Sequence, residues 1–99
     1  MRPDLQDATA TISDDYVDLQ FVLAMILYDS VPGSYSYEII SGNEGYAFGI
    51  NSGGEITVAN SLALDAAMTP TYYLMVKVTK NNDSNLTDFA VVTIHVTAG

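Results

Sequence analysis

The residues of this sequence that could do chemistry are mainly its acids. Asp14, Asp15 and Asp18 stand close together in a polar segment, and two carboxyl groups can serve as the acid and the base of a glycoside hydrolase. That chemistry needs a cleft in which burial separates the two pKa values. A loop in a chain of 99 residues offers little room for such a cleft, so we do not expect an enzyme.

His95 is the one histidine, and the chain has no cysteine. The absence of cysteine excludes a disulfide scaffold, a thiolate zinc site and a cysteine nucleophile. A single histidine among many acids does not define a Ser–His–Asp triad. Because His95 alternates with apolar residues near the C-terminus, we expect it to be an exposed strand residue, not a metal ligand or a general base.

Composition limits the partners. Twelve acidic residues against three basic ones give a net charge of −9, which disfavours nucleic acid and anionic membranes as partners. A hydrophobic share of 48% with 15% charged residues is typical of a folded globular domain. No apolar run approaches the ~20 residues that cross a bilayer. We therefore expect one domain over residues 1–99 that does not span a membrane, excised from a longer protein.

The elements that must position these residues are almost all strands. Alternating and apolar runs predict strands over 8–13, 21–28, 36–41, 46–50, 54–59, 71–79 and 89–96. The segment 42–45 is a predicted turn, 51–54 a hairpin turn, and 80–88 a polar loop. Residues 60–68 could form at most a turn or two of helix before Pro70. This pattern predicts an all-β fold, a seven-stranded Greek-key β-sandwich.

Several short motifs carry a resemblance. In chain order they are Ser41-Gly42-Asn43, Phe48-Gly49-Ile50, Gly54-Glu55-Ile56, Leu64-Asp65, and the strand with Tyr72, Leu74, Val76 and Val78 in alternation. Each is weak alone, but their order and spacing resemble a cadherin repeat over nearly the whole chain. The resemblance implies a cadherin- or immunoglobulin-like sandwich that serves adhesion and spacing.

The same resemblance implies calcium ligands, and here the chain departs from the family. Asp14 and Asp65 would lie at one end of the repeat and Asp29 at the other. The family has Arg-Glu after Leu-Asp, whereas this chain has Ala66-Ala67. Since calcium takes 6–8 oxygen ligands, we expect a weak, incomplete metal site at Asp14, Asp65 and Asp29. No other cofactor is expected.

Apolar residues offer a second kind of site. If Phe21, Leu23, Met25 and Leu27 face the core, then Val22, Ala24, Ile26 and Tyr28 face outward; Tyr73, Met75, Phe89 and Val91 would lie outward on the other sheet. An outward apolar stripe can be a protein interface, or neighbouring side chains can cover it. The predicted contact residues are Val22, Ile26, Tyr28, Tyr73 and Met75.

Two glycosylation sequons, at Asn82 and Asn85, favour an extracellular location. The sequence thus predicts an extracellular cadherin-like module of a cell-surface or secreted protein. Its partners would be neighbouring repeats and a protein, either a second copy or a different receptor. The alternative is a bacterial secreted or cell-surface sandwich that binds carbohydrate or acts as a passive spacer.

Overall fold

The computed structural model describes residues 4–28, 34–81 and 83–99, without the side chains at 83 and 84. Nine strands occur in this part of the chain: β1 (Asp4–Leu5), β2 (Ala8–Ser13), β3 (Phe21–Ala24), β4 (Leu27–Tyr28), β5 (Tyr35–Ser41), β6 (Phe48–Ile50), β7 (Glu55–Val58), β8 (Thr71–Lys80) and β9 (Asp83–Thr97). Two short 3-10 turns cover Glu44–Tyr46 and Ser61–Ala63. Neither of these helices is long and apolar enough to cross a membrane.

The strands form two main sheets. One has the order β2-β9-β8-β5 and the other the order β3-β7-β6, while β1 pairs with β4. The β2–β9 pair is parallel and the other pairs are antiparallel. Consecutive strands repeatedly change sheet, so the predicted all-β Greek-key sandwich is confirmed.

The core lies between the two main sheets, as the alternation of β8 predicts. Tyr72, Leu74, Val76 and Val78 are buried, and the first three of them pair with buried residues of β9. Across the sandwich they meet a cluster that includes Phe48, whose ring packs edge-on against Tyr72 with the centroids 5.0 Å apart. Burying a Val, Leu, Ile or Phe side chain contributes about 1.5–3 kcal/mol, so these positions determine which face of each strand turns inward.

The predicted strand 21–28 is wrong in one respect, because it divides in two. β3 pairs with β7, and β4 pairs with β1. A bulge in β3, opposite β7, leaves Val22 without a pairing residue. Phe21 therefore pairs with the outward Thr57, and Leu23 pairs with the inward Ile56. Phe21 is consequently exposed although it was expected in the core, and Val22 is half-buried against the core although it was expected outside.

The other predicted side-chain directions in this run are confirmed. Met25 is buried, and Leu23 and Leu27 pack against the core. Ala24, Ile26 and Tyr28 are exposed.

Two further boundaries differ from the sequence prediction. The strand expected over 46–50 begins only at Phe48, because a 3-10 turn occupies Glu44–Tyr46. The polar loop expected over 80–88 is a hairpin, in which β8 runs to Lys80 and β9 starts at Asp83. Exposed strand ends and loops are both rich in polar residues, so composition alone could not locate this turn. Within the segment 60–68, where at most a turn or two of helix was expected, a 3-10 turn covers Ser61–Ala63.

The first strand and the last residue lie toward opposite ends of the domain. The backbone N–H of Leu5 donates to a carboxylate oxygen of Asp88 at 2.8 Å, near the β8–β9 hairpin. Gly99 is bonded to Asp14 at the other end of the parallel β2–β9 pair. The molecule measures 42 × 19 × 17 Å, so Leu5 and Gly99 are separated along its long axis.

Candidate functional site

The carboxylate of Asp14 closes the end of the sandwich at which Gly99 lies. One oxygen accepts from the backbone N–H of Gly99 at 2.8 Å and the other from that of Ala66 at 3.2 Å. These bonds, with Gly99 the stronger influence, hold the pKa of Asp14 below its usual value of 3.8. Both oxygens are thus engaged by the protein's own amides.

Asp65 lies in the same loop that Asp14 bonds, as the resemblance implied. Its Oδ1 accepts from the backbone N–H of Ala67 at 3.0 Å. Asp29, the third expected ligand, lies outside the described residues. No group of three or more His, Cys, Asp or Glu residues in the described part of the chain could hold a metal ion.

Calcium takes 6–8 oxygen ligands, and Asp14 and Asp65 would supply only part of such a shell. Asp14 and Asp65 bring two carboxylates to one end, and each already accepts backbone hydrogen bonds. The weak, incomplete calcium site therefore stays a prediction.

Three further acids, like Asp14, accept hydrogen bonds from distant backbone amides, and their positions outside the predicted strands were the only signal for them in the sequence. Asp18 accepts from the backbone N–H of Ser61 at 2.8 Å, which lowers the pKa of Asp18. Asp7 accepts from the N–H of Val91 at 2.9 Å. With Asp88, these side chains join segments that are far apart in sequence, so part of the acidic surplus is structural.

The Ser41-Gly42-Asn43 motif has a structural reason. Gly42 has a φ of +80°, and a Cβ there would overlap the backbone carbonyl of Tyr73. The side chain of Asn43 donates to the carbonyl of Phe48 at 2.7 Å and accepts from its N–H at 3.0 Å. Only glycine allows this close approach. Because β6 is the edge strand of its sheet, Phe48 has no neighbouring strand on this side, and the side-chain amide of Asn43 bonds its backbone instead.

The outer face of the four-stranded sheet carries an apolar strip, defined here as Tyr73, Met75, Phe89 and Val91. Met75 pairs with Val91 across β8 and β9, and Phe89, opposite Lys77, is two pairs further along on the same face. Tyr73 is 64% exposed and Phe89 48%, whereas Met75 is half-buried. Lys77 pairs with Phe89 on one side and with Glu38 on the other, so the strip is bordered by one cation and one anion.

The remaining predicted contact residues lie elsewhere. Ile26 is 55% and Tyr28 61% exposed near the β1–β4 pair, and the bulge turns Val22 toward the core. The five predicted contact residues therefore do not form one surface. His95 is exposed, with Nδ1 3.5 Å from the Thr71 hydroxyl.

The aromatic residues and the sequons bear on the other expectations. Among the described tyrosines, the most exposed are Tyr28, Tyr46 and Tyr73, which lie on three separate elements. This arrangement gives the carbohydrate-binding alternative no specific support. Asn85 is exposed on β9, whereas Asn82 lies outside the described residues.

Comparisons with known proteins fit this geometry. No protein-family model and no curated protein matches the chain. Solved structures do: extracellular cadherin domains 1–4 of protocadherin gamma B7 match 99% of the chain with a TM-score of 0.84 and 20% identity. The chain has the fold of a cadherin extracellular domain.

Two other solved structures support the same assignment of the fold. Drosophila N-cadherin EC1–3 matches 100% of the chain at a TM-score of 0.82 and 18% identity, and the chain covers 35% of it. The third cadherin domain of human protocadherin 7 matches 98% of the chain at 0.78 and 14%, with 87% of that domain covered. The chain spans 24% of the gamma B7 structure, which contains several such domains.

Proposed function

We propose that this chain is one module of a longer extracellular protein, in which it spaces neighbouring modules and binds a protein partner through the apolar strip. The observation that carries the proposal is the strip itself. In a chain with a net charge of −9, it is an exposed apolar surface on a rigid sheet, with Lys77 and Glu38 in register beside it. Apolar and aromatic side chains at the centre, with charges at the edge, are characteristic of protein interfaces.

The spacer part rests on the positions of the two chain ends. Tandem modules need entry and exit points at opposite ends, and the bonds of Leu5 to Asp88 and of Gly99 to Asp14 provide them. The cadherin fold supports this use, since the matching structures include fragments with several such domains. An extracellular location and glycosylation at Asn85 and Asn82 belong to the same proposal.

Replacing Tyr73 with Lys tests the contact surface. The exposed ring can be removed without opening the core, so we expect an unchanged melting temperature. Self-association measured by sedimentation, or retention of labelled protein on cells, should be lost. Thr11→Lys is the matched control, because Thr11 lies exposed on the same sheet two strands from Tyr73.

Ile26→Lys tests the exposed apolar residues near the β1–β4 pair separately from the apolar strip. If Ile26 contacts the partner, association falls while folding is unchanged; a drop in melting temperature would show that it is covered by neighbouring side chains. Equal binding by Tyr73→Lys and the unmodified protein would contradict the role of the strip. If the protein neither self-associates nor binds cells, only the spacer role would remain of the proposed function.

A further inference from the structure

A different surface of the molecule lies along one edge of the four-stranded sheet. The two main sheets end in four strands, β2 and β5 on one and β3 and β6 on the other. Of these, β5 is the longest, with seven residues, whereas β6 has three and is closed at Phe48 by the side chain of Asn43. Among the described strands only β8 pairs with β5. In this part of the chain, the other edge of β5 therefore carries no strand.

The register of β5 shows which of its backbone groups face that edge. The N–H of Asn81 donates to the carbonyl of Ser34 at 2.9 Å, in line with the ladder that follows. Hydrogen-bonded residues alternate with non-hydrogen-bonded ones along an antiparallel pair. Every second residue counted from Ser34 therefore bonds β8, while the N–H and C=O groups of Tyr37 and Ile39 point away from it. No backbone hydrogen bond outside the ladders reaches these two residues from the described part of the chain.

Two grooves lie toward the two ends of this edge. The first, of about 440 Å³, is lined by the end of β5 and the turn after it, residues 39–46. The second, of about 430 Å³, is lined in the described chain by Ser34, Tyr35, Tyr37, Ser52, Gly53 and Asn81. Tyr35 and Ile39 are about 13 Å apart along the strand, and strand residues at such even spacing point to the same face. One added strand can therefore place two of its side chains in the two grooves.

The first groove suits a basic side chain. Glu44 supplies a carboxylate, and the ring of Tyr46 is 82% exposed beside it. Tyr46 has a φ of +54°, which is unfavourable for a residue other than glycine, and residues strained in this way concentrate at binding sites. A guanidinium or ammonium group in this groove would meet a carboxylate and an aromatic face, and both attract cations.

The second groove has a different chemistry. Its described lining carries hydroxyl and amide groups and no carboxylate. The ammonium group of Lys80 lies beside it, 5.9 Å from the centre of the Tyr35 ring. The ring of Tyr37 packs over Gly54, where an added Cβ would lie 3.0 Å from the ring, so its position is fixed. A small polar side chain suits this groove, and a second cation does not.

We infer that the free edge of β5 binds an extended, basic segment of another protein by strand addition, with Arg or Lys in the first groove and a small polar residue, four positions away, in the second. In such complexes backbone hydrogen bonds provide affinity, and grooves for alternate side chains provide specificity. The net charge of −9 and the carboxylates of Glu38 and Glu44 favour a basic segment over a second copy of this chain, which would be repelled. The site is separate from the apolar strip, which lies on the face of the sheet.

Hydrogen exchange of backbone amides, followed by NMR on the 99-residue chain, tests the strand addition. The probe is a synthetic nonapeptide that alternates Thr and Val and carries one Arg and, four residues later, one Ser. In the free protein the amides of Tyr37 and Ile39 should exchange quickly, and that of Glu38, which bonds β8, slowly. With peptide on the order of millimolar, protection of Tyr37 and Ile39 should rise about tenfold or more. The same peptide methylated at the backbone nitrogens that face β5 keeps its side chains and should give no protection.

Glu44→Lys tests the preference for a basic side chain. Binding of the Arg peptide should weaken about tenfold, and a peptide with Glu in place of Arg should bind more tightly than before. Asp4→Lys is the matched control, because Asp4 is exposed on β1 and gives the same change of charge away from β5. Tyr73→Lys, which alters the apolar strip, should leave peptide binding unchanged.

Four results would overturn the inference. The first two are equal protection by the methylated peptide and the absence of protection at Tyr37 and Ile39. Equal effects of Glu44→Lys and Asp4→Lys would show that the charge of the whole molecule, and not the groove, selects the peptide. Protection of the same amides that grows with protein concentration in the absence of peptide would assign the edge to a second copy.

Discussion

The two ends of this sandwich are closed by different means. At the end with the β6–β7 hairpin, Asn51 satisfies its own turn: its Oδ1 accepts from the N–H groups of Gly53 and Glu55, both at 2.9 Å. At the opposite end, Asp14 and Asp18 reach residues 52 and 43 positions away in sequence. The Asn51 turn is a local structure, whereas the contacts of Asp14 and Asp18 exist only when the whole fold has formed.

This difference predicts at which positions a substitution destabilises the fold most. A local turn loses its own hydrogen bonds when it is altered, and the rest of the sandwich stays in place. The long connections at the other end depend on close approach between distant backbones, so a single added atom can displace two elements. Substitutions matched between the two ends measure the contrast.

The largest effect is expected from Gly42→Ala. The left-handed backbone and the overlap with the Tyr73 carbonyl should together destabilise the fold by about 2–4 kcal/mol. Urea unfolding measures this loss. The control is Gly53→Ala in the Asn51 turn, where an added Cβ has only a 3.4 Å contact with the Asn51 side chain; an equal loss there would contradict the contrast.

A second pair compares Asn43→Ala with Asn51→Ala. Asn43 bonds both backbone groups of Phe48 in a partly buried setting, so its loss should cost about 2 kcal/mol. Asn51 is exposed and water can replace its bonds, so we expect about 1 kcal/mol. The denaturant midpoints of the two variants show which substitution costs more stability. A larger loss for Asn51→Ala would contradict the prediction.

Acid should weaken the end of the sandwich that Asp14 and Asp18 close. The folded-state pKa values of Asp14 and Asp18 lie below 3.8, so their contribution is present above that pH and is lost as the pH falls through the lower folded values. Unfolding measured from neutral pH down to about pH 2 should show this decline. In Asp14→Asn the slope should be shallower, while an unchanged slope would mean that other acids produce it.

The smallest effect should have the opposite sign. Tyr46 is 82% exposed and has a φ of +54°, so Tyr46→Asn removes little packing and relieves strain. We expect a gain of about 0.5 kcal/mol, measured by urea unfolding. A loss of stability would indicate that the ring makes packing contacts.

Much of the fold could be predicted from pattern alone. The alternation in β8 identified its buried face, and the strand over Ala8–Ser13 has the predicted bounds. The apolar run from Phe21 to Tyr28 has no alternation, so it gave no information on the bulge or on the change of partner from β7 to β1. Those features depend on which strand lies opposite, which one strand's sequence does not contain.

The candidate sites show the same division. The sequence identified Tyr73 and Met75 as outward because their strand alternates, and it identified the cadherin fold through its ordered motifs. It did not identify the high exposure of Leu19, Tyr46, Leu62 and Met68, since these residues lie in connections without a period. Nor did it show that Asp7, Asp18 and Asp88 bond distant amides.

The sequence by itself determined the strand content, the Gly42-Asn43 turn and the charge of this protein, because these follow from local conformational preference and composition. Tertiary structure alone decided which carboxylates hold backbone amides and which apolar residues share an exposed surface. The physical reason is distance: a hydrogen bond between Asp14 and Gly99 joins residues 85 positions apart, and only the packed sheets bring them together.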